Sequence, residues 1–299
     1  MKALEIRRAG GAYPVADIVD RYRRFGIAIL KDYLPEEHRA SLRAVAQRRL
    51  ESARARDAVL RLAEFPSADF LLGDILAVRE LDATDYLFFR RDLLEALRAV
   101  LGTEELLYWG DSSIQFGAAA RGFHKDNVGR YDASHDDWKG DYGLVRCGFY
   151  FQDHARHSGG LKVRLASHDV ANHREGRMAD IPSGFGDMVI WSMRLTHSGN
   201  NRRLRGLPGV PLHPRLEAVL PAWTTLPEQQ RRISAFCGFG RPGSQADCYI
   251  QNMNRRDADY RRYFQHARRA EQAAPLLASY GVTFVKPNEH YGELDHGHA

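Results

Sequence analysis

Hydrophobic positions change their spacing along the chain, and the changes divide it into three stretches. Up to residue 105 the pattern is mostly helical. Phe25-Gly26-Ile27-Ala28-Ile29-Leu30 is a short apolar run that predicts a strand, closed by Asp32-Tyr33-Leu34-Pro35. Pro35-Glu36-Glu37 then starts a helix, with proline in the first turn and two acids at the positive end of the dipole. Leu42, Val45, Ala46, Leu50 and Ala53 recur at steps of three and four, one face of that helix. Arg43, Arg48, Arg49, Arg54 and Arg56 are expected on its solvated side. A second helix is predicted from Asp92 to Val100, stopped by Gly102.

From 106 to 240 the pattern shifts to short strands separated by Gly, Asp, Ser and Asn turns. Ile114-Gln115-Phe116 leads toward Phe123-His124. Leu144 to Phe151 alternates, with Val145, Cys147, Phe149 and Phe151 on one face and Arg146 and Tyr150 on the other. Leu161 to Leu165, Asp187 to Trp191 and Ile233 to Phe239 follow as further strands. The segment 200–230 carries Pro208, Pro211, Pro214, Pro221 and Pro227 and reads as an insertion between two strands, expected to act as a lid. Beyond 240, Asp257 to Tyr280 predicts arginine-rich helix, and a tail with His290, His296 and His298 starts at Pro287. The whole, 1–299, reads as one domain: mainly β with flanking helices, a sandwich or jelly roll.

Composition narrows the class. In 299 residues, 44% hydrophobic and 27% charged, a large core is affordable without disulfides, and disorder, coiled coil and collagen are excluded. Three cysteines (Cys147, Cys237, Cys248) form no CxxC pair and read as reduced thiols. No run approaches the ~20 apolar residues of a membrane span, and no apolar stretch follows the first residues as in a signal peptide. A cytoplasmic protein is expected.

The chemistry lies in the histidines. Two His-x-Asp triplets occur, His124-Lys125-Asp126 and His135-Asp136-Asp137. At a strand end the period-two pleat turns both side chains of such a triplet to one face, where they can share a metal, and turns Lys125 away. The first triplet follows an apolar strand; the second lies in a very polar stretch and reads as solvated loop. His197, 71 residues beyond Asp126, follows the strand Gly186 to Trp191. Two histidines and one carboxylate on one face form the triad of non-haem Fe(II) oxygenases, with positions left open for a chelating co-substrate and O2. Arg232 and Ser234 share one face of the last strand and suit a carboxylate ligand.

The residues His124-Lys125-Asp126, the run Phe151-Gln152-Asp153 through Gly159-Gly160-Leu161-Lys162-Val163 to Ala166-Ser167-His168, and Gly186-Asp187 through Thr196-His197-Ser198-Gly199-Asn200 together resemble the phytanoyl-CoA dioxygenase family. The resemblance spans residues 20 to 240. It implies a double-stranded β-helix, a cupin-like jelly roll, with iron held by His124, Asp126 and His197. It implies 2-oxoglutarate bound at Arg232, with Ser234 and Gln115 as further contacts. The implied reaction is oxidative decarboxylation of 2-oxoglutarate to succinate and CO2, coupled to hydroxylation of an unactivated C–H bond. Desaturation, ring formation and epimerisation stay open, whereas a carboxylate at 126 argues against a halogenase. Arg232 lies 35 residues past His197, farther than in the family, so that Arg202, Arg203 and Arg205 are rivals for the co-substrate.

The substrate is expected to be a small polar or anionic metabolite, sugar-containing ones included, with Arg156, Lys162, Arg164, His168 and Arg203 as candidate contacts. Two other classes compete. One is a metal-binding jelly roll without redox chemistry. The other is a basic nucleic-acid binder, prompted by the nine arginines between Arg231 and Arg269. A net charge of +5 is mild for that role, no nucleic-acid motif appears, and no nucleic-acid partner is expected.

Overall fold

In the computed structural model, residues 2–55, 60–61, 70–73, 87–117, 122–199, 201–255 and 268–286 are described. The chain runs through β1 (Glu5–Ile6), α1 (Val15–Phe25), β2 (Ile27–Leu30), α2 (Glu36–Ala55), β3 (Leu60–Arg61) and β4 (Phe70–Gly73). It continues through α3 (Arg91–Leu101), β5 (Leu106–Tyr108), β6 (Ser112–Phe116), β7 (Leu144–Tyr150), β8 (Lys162–Leu165) and β9 (Arg177–Asp180). The last part holds β10 (Met188–Ser192), β11 (His197–Ser198), α4 (Pro214–Glu217), β12 (Ile233–Gly240), α5 (Ser244–Arg255), α6 (Arg268–Ser279) and β13 (Val282–Phe284).

Two sheets face each other. The major sheet is ordered β1-β2-β10-β7-β12-β6-β4-β3, with β5 beside β12 and β13 beside β5; the minor sheet is β11-β8-β9. This is a double-stranded β-helix. The alternation in β7 sorts its side chains between two cores. Val145, Cys147 and Phe149 join Ile18 and Tyr22 of α1 and Leu93, Leu94 and Leu97 of α3 on the outer face. Tyr150, with Val189 and Trp191 of β10, packs inward against Val163 and Leu165 of β8 and Leu195.

Local signals account for the element ends. Helix α3 stops at Gly102 and α1 at Gly26, both in the left-handed region that a side chain disfavours. Gly26 is constrained twice, because a Cβ there would lie 2.7 Å from the ring of His168. On β7, a Cβ at Gly148 would lie 2.7 Å from the Trp191 ring, so glycine makes room for that indole inside the barrel.

Two expectations change. Arg43 is not on a solvated face: it is buried, and its guanidinium donates to the carbonyls of Phe151 and Arg231, at 2.7 and 2.9 Å, pinning α2 to the sheet. The second triplet is not simply solvated loop either. Asp137 is buried and accepts from Gly129 N at 2.7 Å and Asn127 Nδ2 at 3.0 Å, which shapes the turn just after Asp126. The expected helix from Asp257 falls partly, and the tail from Pro287 wholly, outside the described residues. Among the described residues no helix is long and apolar enough to cross a membrane.

Candidate metal centre

The first triplet and His197 meet through their backbones. His124 N donates to His197 O at 3.0 Å and His197 N to His124 O at 2.9 Å, while Asp126 N donates to Met193 O at 2.8 Å. This antiparallel bridge sets His124, Asp126 and His197 side by side, their candidate ligand atoms all within 4.8 Å of one another. His124 Nε2 lies 3.7 Å from Asp126 Oδ1, and His197 Nε2 lies 3.7 Å from Asp126 Oδ2. Among the described residues this is the one cluster of three such groups spaced for a metal.

The tautomers follow from the hydrogen bonds. His124 Nδ1 faces Gly122 O at 3.1 Å and His197 Nδ1 faces Leu195 O at 3.0 Å. A carbonyl only accepts, so each Nδ1 carries the proton and each Nε2 keeps its lone pair on the side of the cluster. Burial pushes the Asp126 carboxyl up, but His197, Arg146 and His124 outweigh it and hold the group well below the usual carboxylate range. Two imidazole nitrogens and a carboxylate oxygen, with one side of the cluster lined by protein, fit Fe(II) as a donor set.

Lys125 points the opposite way. It is fully buried, and its Nζ donates to Ser167 O at 2.5 Å and Arg194 O at 2.7 Å. Burial, with Arg194 alongside, lowers its ammonium to about 7. The lysine rivets the ligand-bearing segments from behind.

Next to the triad the interior is polar in a restricted region. Arg232 is buried, donates from Nε to Gly159 O at 3.0 Å, and lies with its Nη2 3.8 Å from the Cβ position of Gly199. The register places Ser234 opposite both Gln115 and Tyr150, on one inward row. Among the described residues, the buried Ser234 Oγ and Trp191 Nε1 have no hydrogen-bond partner. The Trp191 ring stands edge-on to His197, centroids 5.8 Å apart.

The rival arginines are engaged elsewhere: Arg202 with the carbonyls of Glu217 and Leu220, Arg205 with those of Trp223 and Thr225, and Arg203 with that of Pro208 and, in the loop after β7, those of His154 and Ala155. The five candidate substrate contacts do not converge. Val163 and Leu165 take the inward positions of β8, which leaves Lys162 and Arg164 on its outer face. There Lys162 is buried against Glu217 and 3.4 Å from Asp180, and Arg164 stacks over Phe123 at 4.8 Å. His168 Nε2 faces Arg23 O at 3.1 Å, and Arg156 is exposed in the turn after β7.

Sequence reasoning passed over two arginines at the triad. Arg146 reaches Asp126 from β7, its Nε 3.6 Å from Oδ2. Arg130, half-buried in the following loop, also helps lower the Asp126 carboxyl. The alternation of β7 did turn Arg146 inward, which was the available signal.

No protein-family model matches the chain, and no curated protein matches it. Solved structures do. AviO1 from Streptomyces viridochromogenes Tue57 aligns at 19% identity, over 77% of this chain and 96% of its own, with a TM-score of 0.50. SnoN, a non-heme alpha ketoglutarate dependent epimerase from nogalamycin biosynthesis, aligns at 13% identity over 76% of this chain and 80% of its own, TM-score 0.52. EctD from S. alaskensis aligns at 16% identity over 80% of this chain and 81% of its own, TM-score 0.50. The likeness is one of fold.

Proposed function

We propose that this protein is an Fe(II)- and 2-oxoglutarate-dependent oxygenase of the phytanoyl-CoA dioxygenase type, with His124, Asp126 and His197 as the iron ligands. The observation that carries the reading is the two-way backbone bridge between His124 and His197, which leaves the Nε2 atom of each ring 3.7 Å from the Asp126 carboxylate. The structural resemblance to SnoN, described in complex with Fe3+ and alpha ketoglutarate, supports it.

The bound iron and 2-oxoglutarate would activate O2, releasing succinate and CO2 and oxidising a substrate C–H bond. The chain's own residues supply position and charge. Arg232, with Ser234 and Gln115 on the adjoining strands, is the guanidinium for the distal carboxylate of 2-oxoglutarate. Burial raises the Tyr150 hydroxyl to about 12, partly offset by Arg232, so it stays a neutral donor there at physiological pH. Trp191, edge-on to His197 and packed against Phe236, forms an apolar wall beside that histidine.

The substrate in this reading is a small polar metabolite, oxidised by hydroxylation. Lys162, Arg164, Arg203 and His168 are engaged with the fold; Arg130, whose Nε donates to Asn127 O at 3.3 Å and whose charge acts on Asp126, is the cation proposed to meet an anionic group on the substrate.

The test is anaerobic addition of Fe(II) and 2-oxoglutarate, followed by the visible charge-transfer band of the chelate. A band in the wild type that is lost in His124→Ala supports the reading. A folded chain that binds metal but gives no band and consumes no 2-oxoglutarate would make it a non-redox jelly roll.

A further inference from the structure

We infer that Arg146 is a positioning residue for the carboxylate of Asp126: it occupies one oxygen, so that the acid presents the other alone to the metal. The inference rests on the metal-centre reading above. The Arg146 guanidinium lies between two acids, with Nη1 2.8 Å from Asp111 Oδ2 and Nε 3.6 Å from Asp126 Oδ2. Its Nη2 donates to Tyr249 Oη at 3.1 Å, and that hydroxyl donates to Asp111 Oδ2 at 3.3 Å. Asp111, Arg146 and Tyr249 thus form a closed ring of contacts drawn from the β5–β6 turn, β7 and α5.

The two oxygens of Asp126 are placed unequally. Oδ1 is turned to His124 Nε2, and Oδ2 lies between His197 Nε2 and Arg146 Nε. A carboxylate can take a metal through one oxygen or both, and gripping with both would consume a position that co-substrate or O2 needs. A cation fixed on Oδ2 disfavours the second mode. It must itself be held still, and the fork geometry of arginine lets one group serve Asp111, Tyr249 and Asp126 together, as a lysine point charge cannot. The arrangement also ties helix α5 to the metal centre through Tyr249 and Arg146.

The experiment uses the full chain and two readouts: Fe(II) affinity from quenching of tryptophan fluorescence under anaerobic conditions, and the position of the Fe(II)/2-oxoglutarate charge-transfer band. Arg146→Gln alone strands Asp111 as a lone buried charge, so the neutral pair Asp111→Asn/Arg146→Gln is made beside it. Both variants are expected to bind Fe(II) about 10- to 100-fold more weakly, as loss of an outer partner of a ligand does, and to shift the band. Asp111→Asn, which does not touch Asp126, should weaken binding by a smaller factor, with no further loss when added to Arg146→Gln. Wild-type affinity and an unmoved band in the folded double variant would overturn the inference and leave the metal centre in place. A wild-type chain that binds no Fe(II) would overturn both.

Discussion

His124 and His197 are each other's backbone partners, each N–H donating to the other's carbonyl. Two residues far apart in sequence are therefore fixed by main chain before their rings do anything, and Lys125 clamps the same segment from behind through Ser167 O and Arg194 O.

Since backbone holds the site, removing a ring should remove metal and little else. His124→Ala and His197→Ala are expected to abolish Fe(II) binding in equilibrium dialysis while circular dichroism stays native. His135→Ala, which removes the acceptor for Asp137 N, should keep the metal and cost about 1 kcal/mol, as loss of a cap does.

The two arginine candidates separate cleanly. Arg232→Ala should raise the 2-oxoglutarate concentration needed for the charge-transfer band, at unchanged Fe(II) affinity. Arg203→Ala should leave that requirement alone and loosen the insertion, which it ties to the loop after β7. A raised requirement in Arg203→Ala instead would reassign the co-substrate site.

The insertion is held to the minor sheet by Lys162, which is buried against Glu217 and also donates to Leu212 O. Breaking a buried pair from one side costs about 3–5 kcal/mol. Glu217→Ala should therefore make residues 201–220 much faster substrates for limited proteolysis, while the metal centre keeps its affinity.

Acid sensitivity should come in part from His154. Burial, with Arg232 next, lowers its imidazole from 6.5 to about 3. Nδ1 donates to Ser158 O, so Nε2 accepts from Gln152 Nε2, a pattern only the neutral ring can make. The unfolded chain takes up the proton first, so this contribution is complete above pH 6.5 and is lost as pH falls from 6.5 toward 3. Each unit in that window removes about 1.4 kcal/mol per proton. Urea midpoints should fall between pH 7 and 5, and His154→Gln should flatten that fall.

Much of this was legible in sequence, for definable reasons. The triad followed from strand alternation in His124-Lys125-Asp126, and the two cores from alternation in Leu144 to Phe151. Gly102 marked the end of a helix. On β8 the same rule of alternation gives Val163 and Leu165 the interior and leaves Lys162 and Arg164 outside. The contacts Arg146–Asp111 and Lys162–Glu217 were illegible because charge pairing between distant strands and loops leaves no local period. Strands of two or three residues, such as β1 and β5, are too short to show one. Arg43 looked solvated because a helix wheel cannot reveal that one polar residue meets carbonyls of another layer.

The position of Arg232 is set by the pairing of β12 with β6 and β7, not by its distance along the chain from His197. The exposed part of the segment between them therefore does not decide where Arg232 sits. In this protein it carries Leu207, Val210, Leu216, Val219 and Trp223 out into solvent. Those exposed side chains can change without disturbing the strand pairings that fix Arg232.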